Sequence, residues 1–358
     1  MFAFGQMFLN NTRFVEPAKE TVGLCNGNIA VSINAQPLEA FENSASKRLK
    51  RGEVANLFFY AMTVLIWGST WLAIKFQLGV VSPAVSIAYR FALAALILFL
   101  WSLISRRSLR FTRKEHQYMA LQGSLLFAIN YLFFYLAELD LTSGLAAVVF
   151  STIVVMNLLN GRLFLGTAIE WKVLFGGVLG LCGLILIFWS EVAQFEVAGE
   201  AFLALGYCFL ATYFASLGNI LSARNQKNGL PIVQTNAYGM AYGALLMLLI
   251  SFFIGAPLTV EPGFAYLGSL LYLALFGSVI AFGCYLSLVG RIGPGRAAYT
   301  TLLFPLVALV LSTIWEDYHW SSAAVTGIVM ILGGNYLAIQ KRSETRPSKA
   351  LEKTIPVS

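Results

Sequence analysis

The sequence predicts an all-α integral membrane protein with ten transmembrane helices, and three observations support this prediction. Apolar residues make up 58% of the 358-residue chain, whereas the charged residues make up only 11%. Soluble domains contain about 25% charged residues, so the composition excludes an ordinary soluble protein. Apolar stretches of bilayer length recur along the chain, and basic residues lie in alternate loops between them.

Each apolar stretch has the length that a bilayer requires, because a hydrocarbon core about 30 Å thick needs roughly 20 helical residues. The ten predicted spans are 57–74, 84–104, 117–137, 141–161, 173–189, 201–222, 232–255, 265–286, 293–315 and 322–340. They form two five-helix repeats, 56–190 and 199–341. We expect residues 1–46 to be a polar, disordered extension, and residues 342–358 to be a polar cytoplasmic tail.

The charge pattern predicts the orientation of the chain. Basic residues cluster at 47–51, 106–114 and 341–342, and acidic residues occupy the intervening loops at 138–140, 191–200 and 316–317. Because cytoplasmic loops carry an excess of Lys and Arg, both termini are predicted to be cytoplasmic, in the cytoplasmic (inner) membrane. The net charge of +7 follows from this topology, so no nucleic-acid partner is expected.

The sequence offers no pattern that indicates catalysis or metal binding. Its four cysteines are scattered without metal-ligand spacing, and its two histidines lie in different loops. Neither a GxxxxGK[ST] phosphate loop nor an HExxH motif occurs. We therefore predict no catalytic residue, no metal site and no cofactor.

The two halves of the chain repeat one another. Three pairs of glycines keep a separation of 151 residues: Gly144 and Gly295, Gly176 and Gly327, and Gly183 and Gly334. Because each half holds an odd number of spans, the two halves must have opposite orientations. Inverted repeats are typical of secondary transporters, in which the solute site lies near the midplane between the halves.

Four short motifs follow one another along the chain: Trp67-Gly68-Ser69, Ser82-Pro83 with Arg90-Phe91, Gly293-Pro294-Gly295-Arg296-Ala297-Ala298, and Phe304-Pro305. In this order they resemble the EamA-type permeases of the drug/metabolite transporter superfamily. The resemblance covers residues 56–340 and implies an inner-membrane exporter or facilitator of amino acids or other small metabolites. Two positions depart from the pattern. Val154 stands where the second half has Pro305, and Gly166 replaces an acidic residue that often closes the fourth span.

Polar side chains on single helical faces are the candidate cavity residues, because a polar stripe in lipid is costly unless it lines a cavity or packs on another helix. They are Trp67, Thr70 and Trp71 in span one, Asn130, Tyr131 and Tyr135 in span three, Thr212, Ser216 and Asn219 in span six, Tyr238 in span seven, and Tyr299 and Thr301 in span nine. Interhelical packing is the alternative explanation, since hydroxyls and small residues also join spans.

Arg90, which is also a candidate cavity residue, Glu138 and Pro305 are predicted to form a gate or a hinge. Arg90 lies within span two, where an isolated guanidinium is costly. It is expected to pair with Glu138 in an outer gate, to bind an anionic group of the solute, or to snorkel towards the surface. Pro305 removes a backbone donor from span nine and leaves the carbonyl of Thr301 without its helical partner. This predicts a hinge or a passive kink.

Together these patterns predict a secondary transporter that works by alternating access, as an exporter or exchanger of a small metabolite such as an amino acid. Apart from Arg90, no ionisable group lies near the middle of a span. Uniport, exchange, or proton coupling through Glu138 alone is therefore expected. The alternatives are a membrane-embedded enzyme acting on a lipid, or a polytopic receptor or scaffold. The expected partners are a small-molecule solute and the lipid bilayer, with the chain acting as a monomer or homodimer.

Overall fold

The computed structural model describes residues 35–77, 81–195, 199–315 and 321–339. The chain divides into two compact units, 1–61 and 62–358. In the first unit the described residues form the first part of helix α1 (Ala35–Lys75). This helix begins inside the predicted N-terminal extension. Residues 1–34 and the predicted tail over 342–358 lie outside the described residues.

The second unit is built from helices, and its described residues contain no β-strand. In chain order the helices are α2 (Pro83–Ile104), α3 (Arg113–Ala137), α4 (Gly144–Leu165), α5 (Trp171–Ile187), α6 (Gly199–Lys227), α7 (Ile232–Phe253), α8 (Phe264–Ile292), α9 (Thr300–Trp315) and α10 (Ser322–Ile339). Each corresponds to one predicted apolar stretch.

The distribution of polar and apolar side chains is that of a multi-pass membrane protein. Among the described residues six helices, α2, α3, α4, α6, α7 and α8, are long and apolar enough to cross a bilayer, while α5 and α10 are apolar but shorter. Phe264 and Phe253 are 94% and 81% exposed, whereas Thr212 and Asn225 are fully buried. Apolar groups outside and polar groups inside suit a hydrocarbon solvent.

Local sequence signals fix several helix ends. Pro83 occupies the first turn of α2, where its missing N–H has no helical partner to lose. Thr112 and Glu115 form a reciprocal capping box at the start of α3, in which the Thr112 N–H donates to a Glu115 carboxylate oxygen at 2.6 Å. Gly166 ends α4 in the left-handed conformation (φ 66°), which glycine adopts without a steric penalty.

Within the described ranges, two helices contain π-helical segments that the apolar periodicity does not predict. They are Leu125–Ile129 in α3 and Leu273–Ile280 in α8. A π-helical segment changes the register of the side chains that follow it, and such segments are frequent at functional sites.

Helix α5 packs along α10, and α2 packs along α7. The α5–α10 crossing is a direct backbone contact, since a methyl group added at Gly176 would lie 2.5 Å from the Gly334 carbonyl oxygen, and one at Gly183 would lie 2.5 Å from the Gly327 carbonyl oxygen. The earlier glycine of one helix meets the later glycine of the other, so the two helices cross in an antiparallel sense.

The predicted ninth span is divided in the structure. The chain bends at Gly293, where φ is 85°, makes a single helical turn over Pro294–Ala297, and then enters α9. Pro305 lies inside α9, which is helical on both sides of it. The break in the helical assignment therefore comes before the proline.

Candidate functional site

A cavity of about 130 Å³ lies among helices α1, α2, α3, α4, α6, α8 and α9. Most of its wall is aromatic or aliphatic, with a few polar groups. It is lined by Trp67, Thr70, Ile74, Arg90, Leu126, Asn130, Tyr131, Phe134, Tyr135, Glu138, Phe150, Ile153, Ala215, Asn219, Phe282, Tyr285, Thr301 and Phe304. An apolar wall with a few polar groups is typical of a site for a small organic molecule.

Arg90 is fixed in the wall of this cavity and is 3% exposed. Its Nε donates a hydrogen bond to the Ser278 hydroxyl at 2.9 Å. Its guanidinium carbon lies 5.2 Å from the ring centre of Tyr131 and 5.4 Å from that of Phe91, which are cation–π distances. Gly277 leaves room for the group, since an added methyl there would lie 3.1 Å from Arg90 Nη2.

No ion pair joins Arg90 to Glu138, although both residues are described and both line the cavity. Among the described side chains, no carboxylate oxygen lies within 4.0 Å of the Arg90 guanidinium. The outer-gate ion pair considered from the sequence is therefore not formed in this conformation. A buried cation without a carboxylate partner can bind an anionic group that enters the cavity.

Two amide oxygens in the wall have no hydrogen-bond partner in the described part of the chain. They belong to Asn130 and Asn219, which are 8% and 1% exposed. The Asn219 amide group donates to the Tyr285 hydroxyl at 2.9 Å, so only its oxygen is unpaired. An unpaired buried acceptor costs about 1–3 kcal/mol. Donors on a solute, or water in the cavity, would offset this cost.

The π-helical segment of α8 supplies the groups that hold the wall together. The Gly277 carbonyl accepts a hydrogen bond from Trp67 Nε1 at 3.2 Å, and the Ser278 hydroxyl accepts the bond from Arg90. Beyond this segment, the ring centres of Phe282 and Tyr285 each lie 5.0 Å from the ring centre of Trp67. The altered register of α8 therefore brings its side chains against α1 and α2.

The sequence signature of the EamA-like transporter family matches the chain twice, over residues 55–189 and 202–340. The chain belongs to this family. Each match covers one of the two predicted repeats, so this EamA-like protein is a membrane transporter built from two related halves.

Relatives of this EamA-like transporter carry transporter names as well. The chain is 28% identical over 284 residues to the "Uncharacterized inner membrane transporter YedA" of Escherichia coli (strain K12), covering 76% of this chain and 89% of that protein. It is 24% identical over 275 residues to the "Uncharacterized transporter YoaV" of Bacillus subtilis (strain 168), covering 76% and 92%. These names indicate a transporter rather than an enzyme.

A solved crystal structure has the same fold. It aligns with this EamA-like transporter with a TM-score of 0.66 at 18% sequence identity, covering 80% of this chain and 96% of that one. At this level of identity the likeness concerns the fold alone.

The cavity brings together most of the candidate residues of this EamA-like transporter. Its wall contains Trp67, Thr70, Arg90, Asn130, Tyr131, Tyr135, Asn219 and Thr301, together with the predicted gate residue Glu138. The side chain of Trp71 lies outside the described residues. The polar faces predicted on spans one, three and six therefore meet, in part, at one place.

Four candidate residues do not line this cavity, and each of their polar groups is hydrogen-bonded elsewhere. Thr212 donates to the Cys208 carbonyl of its own helix at 2.8 Å, and the Ser216 hydroxyl accepts from the Asn160 amide at 2.9 Å. Tyr238 donates to the Leu109 carbonyl at 2.9 Å, and Tyr299 donates to the Val173 carbonyl. Pro305 is also absent from the wall.

Several wall residues of this EamA-like transporter were not predicted. Ser278, which holds Arg90 from behind the wall, and the wall residues Phe282 and Tyr285 lie in or just after the π-helical segment. A regular 3.6-residue period does not place them on one face. The Gly277-Ser278 pair in the middle of an apolar span was the available signal, because it interrupts the run of large side chains.

We expect Asn130→Leu to weaken transport without weakening the fold. The substitution removes an unpaired buried oxygen at similar volume, so the thermal unfolding midpoint in detergent should stay the same or rise. Solute affinity should fall about 5- to 10-fold, the equivalent of one hydrogen bond of roughly 1 kcal/mol. Thr212→Val is the matched control, since that hydroxyl bonds only its own helix. Equal affinities in all three proteins would contradict a role for Asn130.

Proposed function

We propose that this protein is a secondary transporter that moves a small metabolite such as an amino acid across the cytoplasmic membrane by alternating access, as an exporter or exchanger. The observation that carries the proposal is the cavity itself. A buried guanidinium and two unpaired amide oxygens face one aromatic space, and both predicted repeats contribute to its wall.

The size of the cavity supports a small solute. Its volume of about 130 Å³ is close to that of an engineered cavity of about 150 Å³ that binds benzene. Pockets for drug-sized ligands are larger, about 300–1,000 Å³. A solute with an anionic group for Arg90, donors for Asn130 and Asn219, and a compact apolar part fits the wall.

The contact between α5 and α10 supports an inverted arrangement of the two repeats. The sequence relates Gly176 to Gly327 and Gly183 to Gly334, while the contacts pair Gly176 with Gly334 and Gly183 with Gly327. Such a reciprocal pairing is what a two-fold relation between two copies produces. An antiparallel crossing fits an axis in the membrane plane, as in transporters whose halves rock about a central site.

The charge pattern of the loops supports a topology with both termini in the cytoplasm. In that orientation α3 runs outward, so Glu138, directly after its last residue, lies at the outer end of the cavity. We propose uniport or exchange, with proton coupling through Glu138 as the alternative mechanism.

Uptake by proteoliposomes tests the proposal. We expect the purified chain to take up one class within a panel of labelled amino acids and metabolites, with saturation and with stimulation by unlabelled solute inside the vesicles. Repeating the uptake with the pH gradient collapsed, and with Glu138→Gln, separates proton coupling from uniport or exchange. Absence of both uptake and counterflow across a broad panel would contradict the proposed function.

A further inference from the structure

An ion pair joins the residue before α5 to the helical turn before α9. Arg296 Nη2 lies 2.5 Å from a Glu170 carboxylate oxygen, and the two side chains are 22% and 40% exposed. Glu170 immediately precedes α5, in the first family repeat. Arg296 lies in the helical turn before α9, in the second. The pair therefore joins the two halves of the protein.

This ion pair lies at the opposite end of α4 from Glu138. Helix α4 begins shortly after Glu138 and ends at Leu165, before Glu170. A helix of 22 residues is about 33 Å long. Among the described side chains, no Lys or Arg nitrogen lies within 4.0 Å of the Glu138 carboxylate. An ion pair thus links the halves at the Glu170 end, and none forms at Glu138.

A second contact between the halves lies between the cavity and the ion pair. Ile153 lines the cavity, and Asn157 follows one helical turn later on α4. The Asn157 amide donates to the Pro294 carbonyl at 3.0 Å. Its oxygen has no partner in the described structure, and the residue is 1% exposed. Asn157 thus carries a free buried acceptor just beyond the cavity.

The turn that carries Pro294 and Arg296 is pressed against α4. A methyl group added at Gly295 would lie 2.6 Å from a terminal carbon of Leu158. Gly293 provides the left-handed backbone that directs the chain into this turn. The turn can therefore leave α4 only if the Asn157–Pro294 and Glu170–Arg296 contacts both break.

We propose that Glu170, Arg296 and Asn157 form the gate at this end of the solute passage. The inference rests on the proposed function. In this conformation the gate is closed. When it opens, the turn before α9 withdraws from α4, and the free oxygen of Asn157 becomes the next contact for a solute that leaves the cavity. A partly exposed ion pair suits this role, because water solvates the separated charges and the pair contributes little to stability.

A cysteine placed on α4, under the turn that carries Pro294 and Arg296, tests the proposal without any solute. In a chain whose four native cysteines are replaced by alanine, Leu158→Cys puts one thiol against Gly295 and leaves both gate contacts intact. The rate of its reaction with a small water-soluble maleimide is measured in lipid nanodiscs. We expect Glu170→Gln and Arg296→Gln each to raise this rate at least 5-fold. The charge exchange Glu170→Arg with Arg296→Glu should bring it back towards the starting rate.

A matched control removes a charge that lies outside the gate. Arg162→Gln alters an exposed arginine near the end of α4 and should not change the labelling rate. If Glu170→Gln does not elute as a single species, it is replaced by Glu170→Asp, whose side chain is one methylene shorter and draws the carboxylate back from Arg296. Labelling rates that do not differ between the gate variants and the starting protein would overturn the gate.

The labelling result and the transport result are independent. A protein that labels as expected but transports nothing in proteoliposomes would contradict the proposed function and leave the closing contact in place. If the protein transports a solute but the labelling rate is the same with and without the Glu170 and Arg296 substitutions, the gate is overturned. The proposed function would then stand.

Discussion

Replacing Gly334 by alanine is expected to destabilise the protein strongly, while the same change at the adjacent Gly333 should not. A methyl group at Gly334 would lie less than 3.0 Å from the Gly176 carbonyl oxygen of α5, closer than real Cβ contacts. The obstacle is backbone, which cannot move aside as a flexible side chain does. At Gly333 the nearest atom is a Leu179 methyl carbon at 3.8 Å, an ordinary contact.

The two substitutions should therefore change the free energy of unfolding in opposite directions. Alanine favours a helix over glycine by about 1 kcal/mol, so Gly333→Ala should be neutral or slightly stabilising. At Gly334 this gain is offset by overpacking, which typically costs about 1–3 kcal/mol and is expected here at the upper end because two helices must separate. Thermal unfolding in detergent, followed by size-exclusion chromatography, measures the difference.

The reciprocal contact provides a second comparison. Gly176→Ala should behave like Gly334→Ala, since its methyl group would lie 2.5 Å from the Gly334 carbonyl oxygen and 2.7 Å from the Tyr299 hydroxyl. Equal unfolding midpoints for Gly333→Ala and Gly334→Ala would show that α5 and α10 do not pack as described. In membranes this kind of close approach provides van der Waals contact that lipid cannot supply.

The glycine contacts illustrate what the sequence can predict. The separation of 151 residues is visible in the sequence, and it predicts that Gly176 and Gly183 correspond to Gly327 and Gly334. The sequence could not tell which glycine touches which, because that depends on the crossing of two helices far apart in the chain. In the structure Gly176 meets Gly334 and Gly183 meets Gly327, so each glycine contacts the one that the 151-residue spacing does not pair with it.

The cavity illustrates the same limit at the level of side chains. Arg90, Asn130 and Asn219 were predictable, because charged and amide groups within apolar spans need a cavity or a partner. A hydroxyl within a span is a weaker sign of a cavity, because it can bond a carbonyl of its own helix, as Thr212 does. Tyr285 was missed because it follows a π-helical segment, where the spacing of regular helices no longer applies.

Arg90→Gln is expected to reduce transport roughly 10- to 100-fold in kcat/KM, while the protein keeps its fold. The guanidinium is buried, and none of the described carboxylates lies within 4.0 Å of it. Hydrogen bonds to charged groups contribute about 1.5–3 kcal/mol, and 1.4 kcal/mol corresponds to a factor of ten. Because the substitution also removes a buried charge that has no carboxylate partner, the unfolding midpoint should not fall.

Two further variants separate the charge from its geometry. Arg90→Lys keeps the cation but loses the planar fork that binds a carboxylate through two parallel hydrogen bonds, so it should retain only part of the transport. Ser278→Ala removes the hydroxyl that accepts from Arg90 Nε at 2.9 Å, so it should loosen the guanidinium and give an intermediate loss.

The exposed Arg162 provides the control for a simple loss of positive charge, since Arg162→Gln should transport as the unaltered protein does. Counterflow with the solute identified by the uptake panel measures all four variants. If Arg90→Gln transports at the unaltered rate, the guanidinium does not contact the solute. Its hydrogen bond to Ser278 and its packing on Tyr131 and Phe91 would then serve to hold α2 against α3 and α8. In that case the unfolding midpoint, and not transport, should fall in Arg90→Gln.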